Sequence, residues 1–141
     1  MINFLSENIE LPDFDQTKIS QWVKIITAQN GKKLGQINYI FCDDAKILEI
    51  NNRYLRHDYY TDIITFDYSS ATSIKGDIFI SVTTVSSNAV NLDIDFNNEL
   101  LRVIIHGILH LCGQDDKTPD SKSVMRLREN DALEIYYNDF Q

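Results

Sequence analysis

The spacing of apolar positions changes several times along the chain, and each change marks an element. Ile2, Phe4 and Leu5 predict a short opening strand, which Leu11-Pro12-Asp13 interrupts. From about Gln16 to Asn30 the spacing turns helical, with Gly31 as the stop. Gln36 to Cys42 partly alternates and is rich in strand formers, and Asp43-Asp44 then places acidic groups at a helix start. That helix, about Ala45 to Leu55, carries Ile47, Leu48, Ile50 and Leu55. It gives way to Arg56-His57-Asp58-Tyr59-Tyr60, a polar and aromatic stretch that predicts an exposed loop.

Thr61 to Phe66 and Lys75 to Ser81 read as two strands separated by small residues from Tyr68 to Ser73, a hairpin with a long loop. A helix follows from about Val82 to Asn91, and a strongly apolar one from about Asp95 to Cys112, closed by Gly113. A final helix starts near Thr118-Pro119, where Thr caps and Pro suits the first helical position; it carries Val124, Leu127, Leu133 and Ile135. There are no internal repeats and no low-complexity linker. Residues 1–141 therefore predict a single α+β domain, with a small mixed sheet of about four strands packed with about five helices.

Composition narrows the function classes. With 43% hydrophobic and 24% charged residues the chain has the means to build a core, unlike disordered sequences. Its 21 acidic and 13 basic residues give a net charge of -8, so the whole-molecule field repels phosphate polyanions and anionic membranes. Any contact with nucleic acid has to be local. No apolar run approaches the roughly 20 residues of a membrane span. The start, Met1-Ile2-Asn3-Phe4, lacks the basic and apolar regions of a secretory signal, so a cytoplasmic protein with no membrane partner is expected. Cys42 and Cys112 stand apart without CxxC spacing and are expected to be reduced and buried.

Leu100 to Cys112 is apolar almost all round, the pattern of a buried helix. One stripe differs. Glu99, Arg102, His106 and His110 lie three or four residues apart and so share a face. Two imidazoles one turn apart can reach one cation, which predicts a metal site on this buried helix. The alternative is that each histidine is a core residue with its own hydrogen bond, which requires two separate polar partners in an apolar setting. Gly107, between them, costs about 1 kcal/mol relative to alanine in a helix, so something is expected to approach the backbone there. A metalloprotease helix has its glutamate base beside the first histidine; Gly107 holds that position here, and the base is missing. Beyond Gly113, Gln114-Asp115-Asp116 offers a carboxylate as third ligand. Two imidazoles and a carboxylate leave an open coordination position, as catalytic metal sites do.

The run His106-Gly107-Ile108-Leu109-His110-Leu111-Cys112-Gly113-Gln114-Asp115-Asp116 resembles the HGxLHLxGYDH signature of the YbeY family, metal-dependent endoribonucleases of ribosomal RNA maturation. Asn51-Asn52-Arg53-Tyr54-Leu55 followed by Asp58-Tyr59-Tyr60-Thr61-Asp62-Ile63-Ile64-Thr65-Phe66 is similar to that family's LNxxYRxxDxPTDVLSF segment. Gly76-Asp77-Ile78-Phe79-Ile80-Ser81 is similar to its GDIxIS strand. The resemblance implies that His106 and His110 bind one zinc per chain, and that Asp116 takes the place of the usual third histidine. Aspartate adds a hard oxygen donor and a negative charge, which broadens metal choice toward manganese or magnesium. Adjacent Asp115 competes for the role. Gln114, Tyr60 and Asp67 also depart from the family pattern, at its tyrosine and two prolines.

The family's RNA-contacting arginine aligns with Leu55, and Arg56 is assigned its role; the alternative is that Arg53 and Arg56 only solvate a helix end. Tyr59 or Tyr60 is expected to stack on a base, and His57 to be an exposed loop residue. The implied partners are single-stranded regions of ribosomal RNA, the small ribosomal subunit and its assembly factors. The implied processes are maturation of the small-subunit RNA 3′ end and ribosome quality control. Either a metal-bound water or the ribose 2′-hydroxyl could attack, and no general base is evident beyond Asp115. Two rival classes remain: a ribosome-assembly binding factor with a structural metal, and a metal-dependent hydrolase of another phosphate ester.

Overall fold

The computed structural model describes residues 1–56 and 61–140. In chain order it contains β1 (Ile2–Ser6), α1 (Gln16–Gln29), β2 (Lys33–Cys42), α2 (Asp44–Leu55), β3 (Ile63–Asp67), β4 (Ser73–Ser81), α3 (Val82–Leu92), α4 (Phe96–Leu111) and α5 (Pro119–Asp139). Four helix starts are fixed by local chemistry. The side chains of Asp15, Asp43, Ser81 and Thr118 accept from the backbone N–H of Lys18, Lys46, Thr84 and Ser121, satisfying donors that a helix leaves unpaired at its first turn. The loop expected from Arg56 to Tyr60 lies outside the described residues beyond Arg56, and so do the roles assigned to His57, Tyr59 and Tyr60.

The strands form one mixed sheet in the order β1-β2-β4-β3, with β1 and β4 parallel to β2 and β3 antiparallel to β4. The expected hairpin is therefore present, closed by the Tyr68 N–H on the Lys75 carbonyl at 2.9 Å. Strand alternation divides the side chains between two cores. Ile37, Tyr39 and Phe41 of β2 and Ile74, Ile78 and Ile80 of β4 face the larger one, shared with Trp22 of α1, Ile104 of α4 and Ala132 of α5. The opposite face carries Cys42 and Ile64 beneath Ile47 and Ile50 of α2, with Phe66 and Phe79 at its edge. Two buried polar atoms tie the layers together: Tyr39 Oη donates to the Ile104 carbonyl at 2.9 Å, and Trp22 Nε1 donates to the Ala132 carbonyl at 2.8 Å.

Gly107 has the close neighbour its position predicted. A Cβ there would lie 3.0 Å from Ile78 Cδ1 and 3.2 Å from Ile63 Cδ1, so the missing side chain lets α4 settle against β3 and β4. Of the four apolar residues read on the last helix, Leu133 and Ile135 are partly buried against the larger core. Val124 and Leu127 are exposed, and the buried stripe is Met125, Glu129, Ala132 and Tyr136. Helical spacing of four, three and four holds, but one of its positions is a carboxylate. Both cysteines are free; Cys42 is buried as expected, whereas Cys112, at the end of α4, is half-buried. Among the described residues no helix is long and apolar enough to cross a membrane.

Candidate functional site at the histidine helix

The C-terminal half of α4 presents His106 and His110 at the surface of the larger core. Gly113, at φ 105°, reverses the chain: its N–H bonds the His110 carbonyl and that of Gln114 bonds the Leu109 carbonyl, both at 3.0 Å. This turn brings Asp116 back over the helix. His106, His110 and Asp116 then line one cavity of about 280 Å³ with Thr61, Asp62, Ile63 and Thr65 from the start of the hairpin. Asp116 Oδ2 lies 3.3 Å from His106 Nε2. Asp115, the competing carboxylate, instead accepts from the backbone N–H of Asp116 at 2.7 Å and of Lys117 at 3.0 Å, and so shapes the turn.

The other nitrogen of His106 has a partner from α5. Its Nδ1 lies 2.6 Å from Glu129 Oε2, and Glu129 is 2% exposed. Arg102 joins this pair to the rest of the stripe. Its Nη1 donates to Glu129 Oε1 at 3.1 Å, its Nε to Glu99 Oε1 at 2.8 Å, and its Nη2 to Glu99 Oε2. Asp62 Oδ2 stands 3.8 Å from the same Nη2. The four residues that shared a face in the sequence thus share it in space, and three of them form a buried charge network.

The network shifts its members in different directions. Burial alone would push the Glu129 carboxyl up, but the His106 hydrogen bond and the Arg102 charge outweigh it and hold Glu129 below the usual carboxylate range. Burial opposes the charge of Arg102, yet its two glutamates hold it protonated more firmly than usual. Asp62 goes the other way: burial raises it, and Arg102 and His106 offset only part of that rise.

The donor set suits a divalent cation. Glu129 holds the Nδ1 side of the His106 ring and Nε2 is turned toward the cavity and Asp116, the ring orientation typical of metal-ligating histidines. His110 supplies a second imidazole on the same wall. The donors are not drawn together: among the described residues no group of three His, Cys, Asp or Glu side chains is close enough to hold an ion as it stands. Arg56 ends α2 in the left-handed region at φ 57° and is exposed; it is not among the described residues that line this cavity.

Sequence reasoning missed two groups. Asp62 stood within a quoted motif, but nothing in its spacing pointed at the histidines. Glu129 lies 23 residues beyond His106 on a helix read from its Thr118-Pro119 start and its apolar residues. A carboxylate on the buried repeat of Met125, Ala132 and Tyr136 was the signal available.

A family model described as Endoribonuclease YbeY matches residues 1–137. Among curated proteins, an Endoribonuclease YbeY of Parabacteroides distasonis is 53% identical over 95% of this chain and 94% of its own length. One of Phocaeicola vulgatus is 51% identical over 96% and 98%. The solution structure of a Thermotoga maritima protein shares the fold, with a TM-score of 0.66 over 99% of this chain and 91% of that one, at 24% identity. Since the family model spans nearly the whole chain and these curated relatives are about half identical to it over nearly their whole length, this chain belongs to the YbeY family.

Proposed function

We propose that this chain is a metal-dependent endoribonuclease that cuts single-stranded RNA in the cavity of His106, His110 and Asp116. The observation that supports it most is the pairing of His106 Nδ1 with Glu129, which leaves Nε2 open beside Asp116. The names of the relatives supply the substrate class. His106 Nε2, His110 and Asp116 would hold the ion, zinc first, with manganese or magnesium admitted by the carboxylate. Such an ion supplies Lewis acidity toward a phosphate oxygen and lowers the pKa of a bound water.

The protein's own groups have distinct tasks. Thr61 and Thr65 line the cavity, and their side chains are assigned the orienting of ribose or phosphate oxygens. Asp62 is the wall carboxylate not paired with an imidazole, and is assigned the removal of a proton from the attacking water or 2′-hydroxyl. A second hollow of about 200 Å³ continues from His106 and Asp116 to Lys122 and Arg126 of α5. Those two cations give a chain of net charge -8 the local attraction for phosphate that its overall field denies. Arg56 is assigned a further backbone contact, outside the cavity.

The family resemblance extends the proposal to ribosomal RNA, with 3′-end maturation of the small-subunit RNA and ribosome quality control as processes. The small ribosomal subunit and its assembly factors are the partners, and the cytoplasm the compartment. A ribosome-assembly binding factor with a structural metal is the rival that the acidic charge favours. Cleavage of a single-stranded RNA by wild type and His110→Ala separates them. The nuclease reading expects a loss of about 100-fold or more with the fold intact; equal cleavage, or RNA binding without cleavage, contradicts it.

A further inference from the structure

We infer that the cavity at the N-terminal end of α4 receives an arginine side chain presented by a basic segment of a partner protein. This cavity, of about 250 Å³, is lined by Asp13 and Asp15 ahead of α1, Asp95 ahead of α4, and the rings of Phe14, Tyr136 and Tyr137. It is separate from the histidine site. Asn97 on its rim and His106 lie on the same helix, about 14 Å apart along the axis at about 1.5 Å per residue. Among the described residues that line it there is no lysine, arginine or histidine, so three aspartates share a hollow without a cation of their own. Two helix starts border it with partial positive charge, but each is already flanked by an aspartate, and the end of α5 adds partial negative charge.

A buried hydroxyl gives a second, independent sign of a ligand. Tyr136 is 8% exposed, with its ring enclosed by Trp22, Tyr137 and Phe140 at centroid distances of 5.0, 5.7 and 6.0 Å. Its hydroxyl bonds to no described residue. No unbonded side-chain oxygen is sealed from solvent among the described residues, so Tyr136 Oη opens into the cavity that the residue lines. Burial and the Asp15 carboxylate raise its pKa, which keeps it a neutral hydroxyl with lone pairs to offer. Asp95 is a further acceptor: Asp15 accepts from the Lys18 N–H at 3.0 Å, whereas the Asp95 side chain makes no capping bond.

The chemistry selects among cations. A divalent ion needs donors drawn together, and among the described residues no three His, Cys, Asp or Glu side chains are close enough to hold one. Three carboxylates repel phosphate groups, so nucleic acid is no occupant. A volume of about 250 Å³ lies below the roughly 300 Å³ at which pockets for drug-sized ligands begin, and suits one side chain. Guanidinium fits better than ammonium, because it is planar, stacks on aromatic faces and spreads five donors over separate acceptors. Phe14 and Tyr137 are held for such stacking by packing against the larger core, and Tyr137 also donates to Asn98 Oδ1. The net charge of -8 draws a basic partner toward the chain.

The test is NMR titration of the full-length ¹⁵N-labelled protein with an acetylated hexa-arginine peptide and, separately, hexa-lysine, on wild type, Tyr136→Phe and Asp13→Asn/Asp95→Asn. Asparagine caps a helix about as well as aspartate, so the double variant removes charge and keeps α4. In wild type, saturable shifts are expected at the amides of Asn97, Asn98 and Tyr137, with hexa-arginine held about threefold or more tighter than hexa-lysine. Tyr136→Phe is expected to weaken hexa-arginine about three- to tenfold, the worth of one hydrogen bond. The double variant is expected to weaken it about tenfold. Shifts confined to other surfaces, equal affinity for the two peptides, or unchanged hexa-arginine affinity in either variant overturns the inference. Neither RNA nor metal enters the measurement, so its failure leaves the nuclease reading untouched.

Discussion

Asp116 Oδ2 faces His106 Nε2 at 3.3 Å, while the carboxylate of Asp115 is turned onto the backbone of its own loop. Two adjacent aspartates thereby take different work, one toward the cavity and one toward the turn. Asp116→Ala is predicted to weaken zinc binding by about tenfold or more, roughly 1.4 kcal/mol, and Asp115→Ala to change it much less. Asp116→His should tighten zinc relative to manganese, since it exchanges an oxygen donor for imidazole. Isothermal titration of the three variants checks this. A larger loss for Asp115→Ala would shift the ligand assignment by one residue.

Arg102 neutralises one of two carboxylates that are 0% and 2% exposed, Glu99 and Glu129. Arg102→Met leaves both without their shared cation in the interior. A loss of about 3 to 5 kcal/mol of folding stability is predicted, the usual range for breaking a buried charge pair from one side. Urea unfolding measures it, and a loss under about 1 kcal/mol would mean that the network relaxes into solvent.

Gly107 faces Ile78, which is fully buried, so the methyl group of Gly107→Ala would press on a side chain with nowhere to go. Overpacking of this kind costs about 1 to 3 kcal/mol, against a gain of about 1 kcal/mol in helix propensity. The prediction is a net destabilisation, with weaker metal binding because α4 is pushed off the hairpin wall that Asp62 and Thr65 provide. A more stable Gly107→Ala would show that the isoleucines yield.

Much of this arrangement was legible in the chain because it is local. The i, i+4 spacing of His106 and His110 sets their common face, Gly107 announced a close approach, and Gly113 announced the return of the chain toward the histidines. The polar partner of His106 was not legible for a physical reason. Glu129 reaches it only because α5 packs Met125, Ala132 and Tyr136 against α4, and a glutamate on an otherwise polar helix looks the same buried or solvated. The apolar Val124 and Leu127 do not mark the buried face, since single exposed apolar residues are ordinary. Asp62 was quoted within a motif, but its place in the cavity depends on the pairing of β3 with β4 and their packing under α4.

The two thiols should be quiet. Burial, with Asp43 and Glu7 nearby, pushes Cys42 up to about 12, and burial also raises Cys112. At pH 8 a raised pKa means that the protonated thiol dominates, and the thiolate is the reactive form. In the folded protein a thiol reagent is predicted to leave Cys42 unmodified over the time in which urea-unfolded chain reacts completely. Rapid labelling of Cys42 without unfolding would contradict its burial.

Cleavage of a single-stranded RNA by protein stripped of metal, before and after zinc is returned, tests the central claim most directly. The account predicts no cutting by the stripped chain, recovery near one equivalent of zinc, and no recovery in His110→Ala. Undiminished cutting by chelator-treated protein, or none by the zinc-loaded chain, would contradict it.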